Sequence, residues 1–177
     1  MSLSMYRVSV PVFVRGLDVL ATLMEKASAH AQEHGIASEV LINARLAPNM
    51  LSLTGQVQRA SDTAKLAIER LTGIPSPHFA DKETTFAELE ERIEHTIDFL
   101  ESVDAAQVDA GETRIITLSF GDFKPSFNGE DYLLSFALPN FFFHVATTHD
   151  ILRHNGVNIG KRDYLGPYTP PYIPPAE

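Results

Sequence analysis

The chain has 177 residues, 44% of them hydrophobic and 21% charged, which fits one soluble globular domain with a core large enough to fold unaided. Fourteen Lys and Arg against 23 Asp and Glu leave a net charge of −9, and Lys161-Arg162 alone is too small a basic patch for a nucleic-acid or anionic-membrane surface. With no cysteine, disulfides, thiolate metal ligands and thiol catalysis are excluded.

No apolar run approaches the length of a membrane span, and no charged start with an apolar run and cleavage site is present, so a cytoplasmic protein without a membrane partner is expected. Residues 1–4 are set aside as an added leader or a frayed start, and 5–177 are read as a single domain. From Ser9 to Gly35, Phe13, Leu17, Leu20, Met24, Ala27 and Ala31 alternate in steps of four and three, which predicts a helix with a bundle-facing seam. Pro11 is placed in its first turn and Gly35 supplies a left-handed stop. The stretch SEVLINARLAPNM reads as a short helical turn that ends before Pro48.

A second helix follows from Leu53, Val57, Ala60, Ala64, Ala67 and Leu71, stops at Gly73, and is succeeded by a loop, IPSPHFADKE. On it, Gln58 and Asp62 share a face that is read as solvated, whereas Gln56 lies about 40° from Ala60 and can turn inward. Thr85 and Glu88 have the spacing of a capping box. The third helix then carries Phe86, Leu89, Ile93, Ile97 and Leu100 on one side and a solvated acidic face, Glu90 to Glu101, on the other.

Between Gly111 and Gly129 the pattern changes to TRIITLSFGDFKPSF, rich in β-branched and aromatic residues, with Gly121-Asp122 as the turn of a short hairpin. From Asp131 the chain is helical again and apolar on nearly every side, so this helix must be central or part of an interface. Pro139 calls for a kink or a fresh helix start, the second being more economical because Asn140 then falls in a first turn. Residues 157–177 hold five of the eleven prolines and are read as a non-helical, extended tail anchored by Tyr164, Tyr168 and Tyr172, with an arm across a dimer partner as the alternative.

Three histidines, His144, His149 and His154, recur at five-residue steps on the last helix. Each step turns about 140°, so the three cannot converge on one ion. His144 instead shares a stripe with Ala137, Phe141, Thr148 and Ile151, and with Asn140 four residues before it. A histidine on such a stripe is more often a satisfied core residue than a ligand, although a bundle core is also where facing helices build metal and ligand sites. His154, in the last turn, is read as capping the helix end, and His30 with His34 makes a metal-compatible pair that lacks a third ligand. No Gly-rich phosphate loop, GxSxG or HExxH is present.

The phrases RLAPNM, QVQRASDTAK, ETTFAELEERI, LPNFFFHVATTHDILRHNGV and IGKRDYLG together resemble an uncharacterised bacterial family of unknown function within the DinB/YfiT-like superfamily of metalloenzymes. The resemblance implies an all-α, up-and-down four-helix bundle, often dimeric, here with a short β-hairpin before the last helix and a Pro-rich C-terminal tail. It also implies a metal pocket built from one histidine on helix two and an HxxxH pair on the last helix. His144 matches the second histidine of that pair, Asn140 stands where the first would be, and the helix-two ligand falls at Gln56 or Asn49. Amide oxygens hold zinc or nickel poorly beside a single imidazole.

The expected site is therefore Gln56, Asn140 and His144, with His144 the candidate catalytic base and the one residual metal ligand for Zn or Ni. The favoured function is a small-molecule binding or stress-related accessory protein with a degenerate metal pocket, taking a small polar molecule. The alternatives are a metal-dependent hydrolase or thiol transferase, recruiting Asp62, Glu83 or Asp150 as further ligands, and a structural homodimer joined through Phe141 to Phe143 and the tail. Whether the protein is an enzyme is left open.

Overall fold

The computed structural model describes residues 3–167. In chain order the elements are α1 (Met5–His34), α2 (Ser38–Ile42), α3 (Leu53–Thr72), α4 (Phe86–Ser102), α5 (Ala105–Asp109), β1 (Ile116–Thr117), β2 (Ser126–Phe127), α6 (Gly129–Tyr132), α7 (Leu138–His154) and α8 (Lys161–Leu165). The long helices α1, α3, α4 and α7 form the expected all-α four-helix bundle, and the two strands form the expected hairpin. No helix among the described residues is long and apolar enough to cross a membrane.

Local signals fix most boundaries. Gly35 and Gly73 end α1 and α3 with φ of 63° and 81°, a left-handed conformation that costs a residue with a Cβ. At α4 the Thr85 hydroxyl accepts the Glu88 N–H at 3.2 Å while the Glu88 carboxylate accepts the Thr85 N–H at 3.0 Å. Helix α1 starts earlier than its apolar seam, because the Ser4 hydroxyl accepts the Arg7 N–H. Ser4 thus belongs to the fold, and Pro11 lies inside the helix instead of in its first turn.

The helices run up, down, down, up, so the bundle departs from strict alternation. Helix α7 pairs antiparallel with α3, through Gln56 with His144 and Thr63 with Asn140, and parallel with α1. Helix α4 runs parallel to α3 because the 73–85 connection returns along the whole length of α3 before α4 begins. Along that strap the Ser76 N–H reaches Glu69, Lys65 lies over the Phe79 ring, Arg59 binds Asp81, and Gln58 binds Glu83. Its prolines suit an extended course with few N–H groups to satisfy.

The core is the common interior of the four long helices, with Phe13, Leu17, Val57, Leu89, Phe141 and Ile151 all buried. Phe141 meets Phe13 edge to face at 5.1 Å between ring centres and fits against α1 only because residue 16 is glycine: a Cβ there would stand 2.3 Å from the Phe141 ring. Of the Phe141 to Phe143 run, only Phe143 faces outward, at 54% exposure, since consecutive helix positions diverge by about 100°.

Three sequence expectations change here. Around Pro139 the backbone stays helical instead of breaking and starting afresh: one π-helical turn, Leu133–Ala137, joins α6 to α7, and the proline, with Asn140 after it, falls in the first turn of α7 as expected. Beyond Gly156 the chain does form a helix, α8, because the Asp163 carboxylate accepts the Gly160 N–H and every later proline follows Gly166. His154 is exposed, and it is the Asn155 amide that donates to the Ile151 carbonyl. The expected anchors Tyr168 and Tyr172 lie outside the described residues.

Candidate functional site

The seam between α3 and α7 carries polar side chains in its buried layer. Gln56 is 1% exposed and His144 9%, and Nδ1 of His144 lies 2.7 Å from Oε1 of Gln56. The Gln56 amide nitrogen donates to the Leu51 carbonyl at 3.3 Å, which fixes the amide so that its oxygen faces the imidazole. Nδ1 must therefore carry the proton, and Nε2 keeps its lone pair. Among the described residues Nε2 has no hydrogen-bond partner, and it is not sealed from solvent.

Burial, and then the positive charge of Arg59, push the His144 pKa down to about 4. The imidazole is thus neutral over the physiological range, a hydrogen-bond acceptor and a weak base. Asn140 lies less than two turns from Gln56 along the same seam but turns its amide to Thr63, donating to the hydroxyl at 2.7 Å, while Thr63 donates to the Arg59 carbonyl at 2.6 Å. The structure therefore joins His144 to Gln56 directly and Asn140 to Thr63. Asn49 is exposed in the loop before α3.

Next to this seam lies a charged cluster that the sequence reading missed. The Arg92 side chain on α4 is 1% exposed, and its guanidinium donates to Asp62 at 2.8 Å, Asp81 at 2.7 Å, Glu83 at 2.8 Å and the Ser61 hydroxyl at 3.1 Å. The Phe79 ring covers it, 4.5 Å from Cζ to the ring centre. Arg59 and Lys65 complete the balance, pairing with Asp62 at 3.0 and 3.3 Å, so three cations meet three carboxylates. Burial is the largest single influence on the Asp81 and Glu83 carboxyls and raises both, but the hydrogen bonds and charge of Arg92, joined by Arg59 at Asp81 and by Gln58 and a backbone N–H at Glu83, together outweigh it and hold both below the usual range.

Gln58 and Asp62 are thus half-buried and paired, not a free solvated face: the strap folds over them, and Arg59 reaches from the cluster to the charge environment of His144. The signal in the sequence was Arg92 itself. It lies between Leu89, Ile93 and Thr96 on the apolar stripe of α4, where a cation can be buried only with partners.

The remaining candidates do not converge. The rings of His30 and His34 lie 4.2 Å apart and tilted by 32° at the end of α1, where His34 is exposed, and Asp150 is exposed beside His149. His149 Nε2 is buried without a partner among the described residues. No group of three His, Asp or Glu among the described residues could hold a metal ion. The donors at the superfamily's ligand positions do not fit zinc or nickel either: Gln56 Oε1 is taken by the His144 N–H, Asn140 offers one amide oxygen, and Asp62 and Glu83 are held by Arg92.

Comparisons with known proteins follow the same outline. A crystal structure of a DinB family member protein from Shewanella denitrificans superposes with a TM-score of 0.86 at 38% sequence identity, covering 96% of this chain and 95% of that one. Functionally curated proteins give no match. The family model described as a domain of unknown function, DUF1993, matches residues 5–165, and the chain, with its DinB-like bundle, belongs to that family.

Proposed function

We propose that this protein binds a small polar molecule, without a metal, at the α3–α7 seam, with His144 Nε2 accepting a hydrogen bond from the ligand. The observation that carries this reading is the 2.7 Å contact between His144 and Gln56, which fixes the tautomer and leaves one lone pair facing outward. The depressed pKa keeps that lone pair free at neutral pH, as an acceptor needs. A carboxamide or alcohol supplies the matching donor, and the Arg59 charge nearby favours ligands that carry an oxygen acceptor or a negative charge. An accessory role in a stress response is compatible with such binding, and a general-base role for His144 would use the same nitrogen.

The test titrates protein labelled at its imidazole nitrogens with acetamide, glycerol and acetate, and separately with zinc and nickel ions. The reading expects a saturable shift of His144 Nε2 with one of the organic probes, lost in Gln56→Leu, and no stoichiometric metal after purification without chelator. Stoichiometric zinc or nickel that disappears in His144→Ala would establish the metal-dependent hydrolase or transferase reading instead.

Association of two copies is a second reading, favoured by the outward-facing Phe143 at 54% exposure and Leu134 at 49%. Light scattering on Phe143→Glu tests it, a dimer that dissociates being the supporting outcome.

A further inference from the structure

Two hydrogen-bond relays cross from α7 to α3, and each forces the orientation of a side chain. Thr63 has one hydroxyl hydrogen and gives it to the Arg59 carbonyl at 2.6 Å, so it can only accept from Asn140, whose amide nitrogen stands 2.7 Å away. The Asn140 carbonyl oxygen therefore points away from Thr63. At the other end of the seam, the Gln56 amide gives an N–H to the Leu51 carbonyl and accepts from Nδ1 of His144, which leaves the Nε2 lone pair free. Both relays thus spend their donors on the backbone of α3 and leave an acceptor on α7.

Those two acceptors, Asn140 Oδ1 and His144 Nε2, have no hydrogen-bond partner among the described residues, and neither is sealed from solvent. They stand four residues apart on one face of α7, where side chains are neighbours at about 5–6 Å between Cβ atoms. The hydroxyls of the next turn offer them no donor, since Thr147 donates to the Phe143 carbonyl and Thr148 to that of His144. Arg59 lies between the two relays on α3, and its positive charge reaches His144.

Resting on the reading of His144 Nε2 as the ligand's acceptor, we propose that the seam selects a primary carboxamide, whose single NH2 group bridges His144 Nε2 and Asn140 Oδ1. The shape of that group fits the pair. Its two hydrogens diverge by about 120°, so donation over about 2.9 Å on each side spans acceptors about 5 Å apart. An alcohol satisfies only one of the two acceptors and a carboxylate neither. An ammonium group carries enough donors, but it is repelled by the Arg59 charge.

The full chain, labelled at its imidazole nitrogens, is titrated with acetamide, N-methylacetamide and N,N-dimethylacetamide, which carry two, one and no N–H on the same carbonyl. Acetamide should shift His144 Nε2 saturably, with a dissociation constant several times below that of N-methylacetamide, and the dimethyl amide should leave it in place. In Asn140→Ala the advantage of acetamide should vanish while N-methylacetamide binds as before. Equal constants for acetamide and N-methylacetamide in the parent, or an acetamide advantage that survives Asn140→Ala, overturn the bridge and leave a single hydrogen bond at His144 standing. No shift with any amide overturns the bridge as well, and only when glycerol and acetate also fail does binding at His144 fall with it.

Discussion

Across the α3–α7 seam, Oε1 of Gln56 stands 2.7 Å from Nδ1 of His144, and this contact decides which nitrogen of the imidazole stays available. The same burial that makes the contact strong makes the charged imidazole costly.

A pH dependence follows. His144 has a folded pKa of about 4 against 6.5 for the free group, so the unfolded chain binds the proton more readily. Its contribution is fully present above pH 6.5, is lost as the pH falls toward 4, and amounts to about 3 kcal/mol in all. Denaturation with urea at several pH values should give a steeper decline over this window in the parent than in His144→Gln.

Arg92 should be the least replaceable polar residue. Arg92→Leu leaves Asp62, Asp81 and Glu83 together without their shared cation, at a cost of about 3–5 kcal/mol, whereas Glu83→Gln keeps its hydrogen-bonding shape and should cost much less. Because the folded pKa values of Asp81 and Glu83 are lowered, their stabilisation is present above the ordinary carboxyl range and is lost as the pH falls through the folded values. Hydrogen exchange in the 73–85 strap should accelerate at that acid end before exchange in α1 does.

Asp81 has φ of 55°, a left-handed conformation held by its bonds to Arg59 and Arg92. Two substitutions separate backbone from charge. Asp81→Gly relieves the backbone and loses both ion pairs, whereas Asp81→Asn keeps the turn and loses only the charge. If the ion pairs dominate, both lower the melting temperature; if backbone strain dominates, Asp81→Gly raises it.

Gly129 packs directly against backbone, since a Cβ there would stand 1.9 Å from the Gly111 carbonyl oxygen. No side-chain rotation relieves a clash with backbone. Gly129→Ala should therefore cost more than about 2 kcal/mol in chemical denaturation, while Gly160→Ala, with open space around it, should cost far less.

Legible in the sequence were the four long helices, their caps at Gly35, Gly73 and Thr85, the hairpin turn at Gly121 and the buried stripe that holds His144, while Gln56 was left free to turn inward or not. Each follows from local rules: apolar spacing, orphan N–H groups at helix starts, and glycine where φ is positive. Tertiary structure alone decided that α3 and α4 run parallel, that Gln58 and Asp62 lie beneath a strap, and that Asn140 turns to Thr63 while Gln56 meets His144. Helical periodicity says which face of a helix is apolar, but not which neighbour covers it or in which direction that neighbour runs. Those are settled by contacts between residues far apart in the chain, such as Arg92 reaching Asp62 on α3 and Asp81 and Glu83 in the strap.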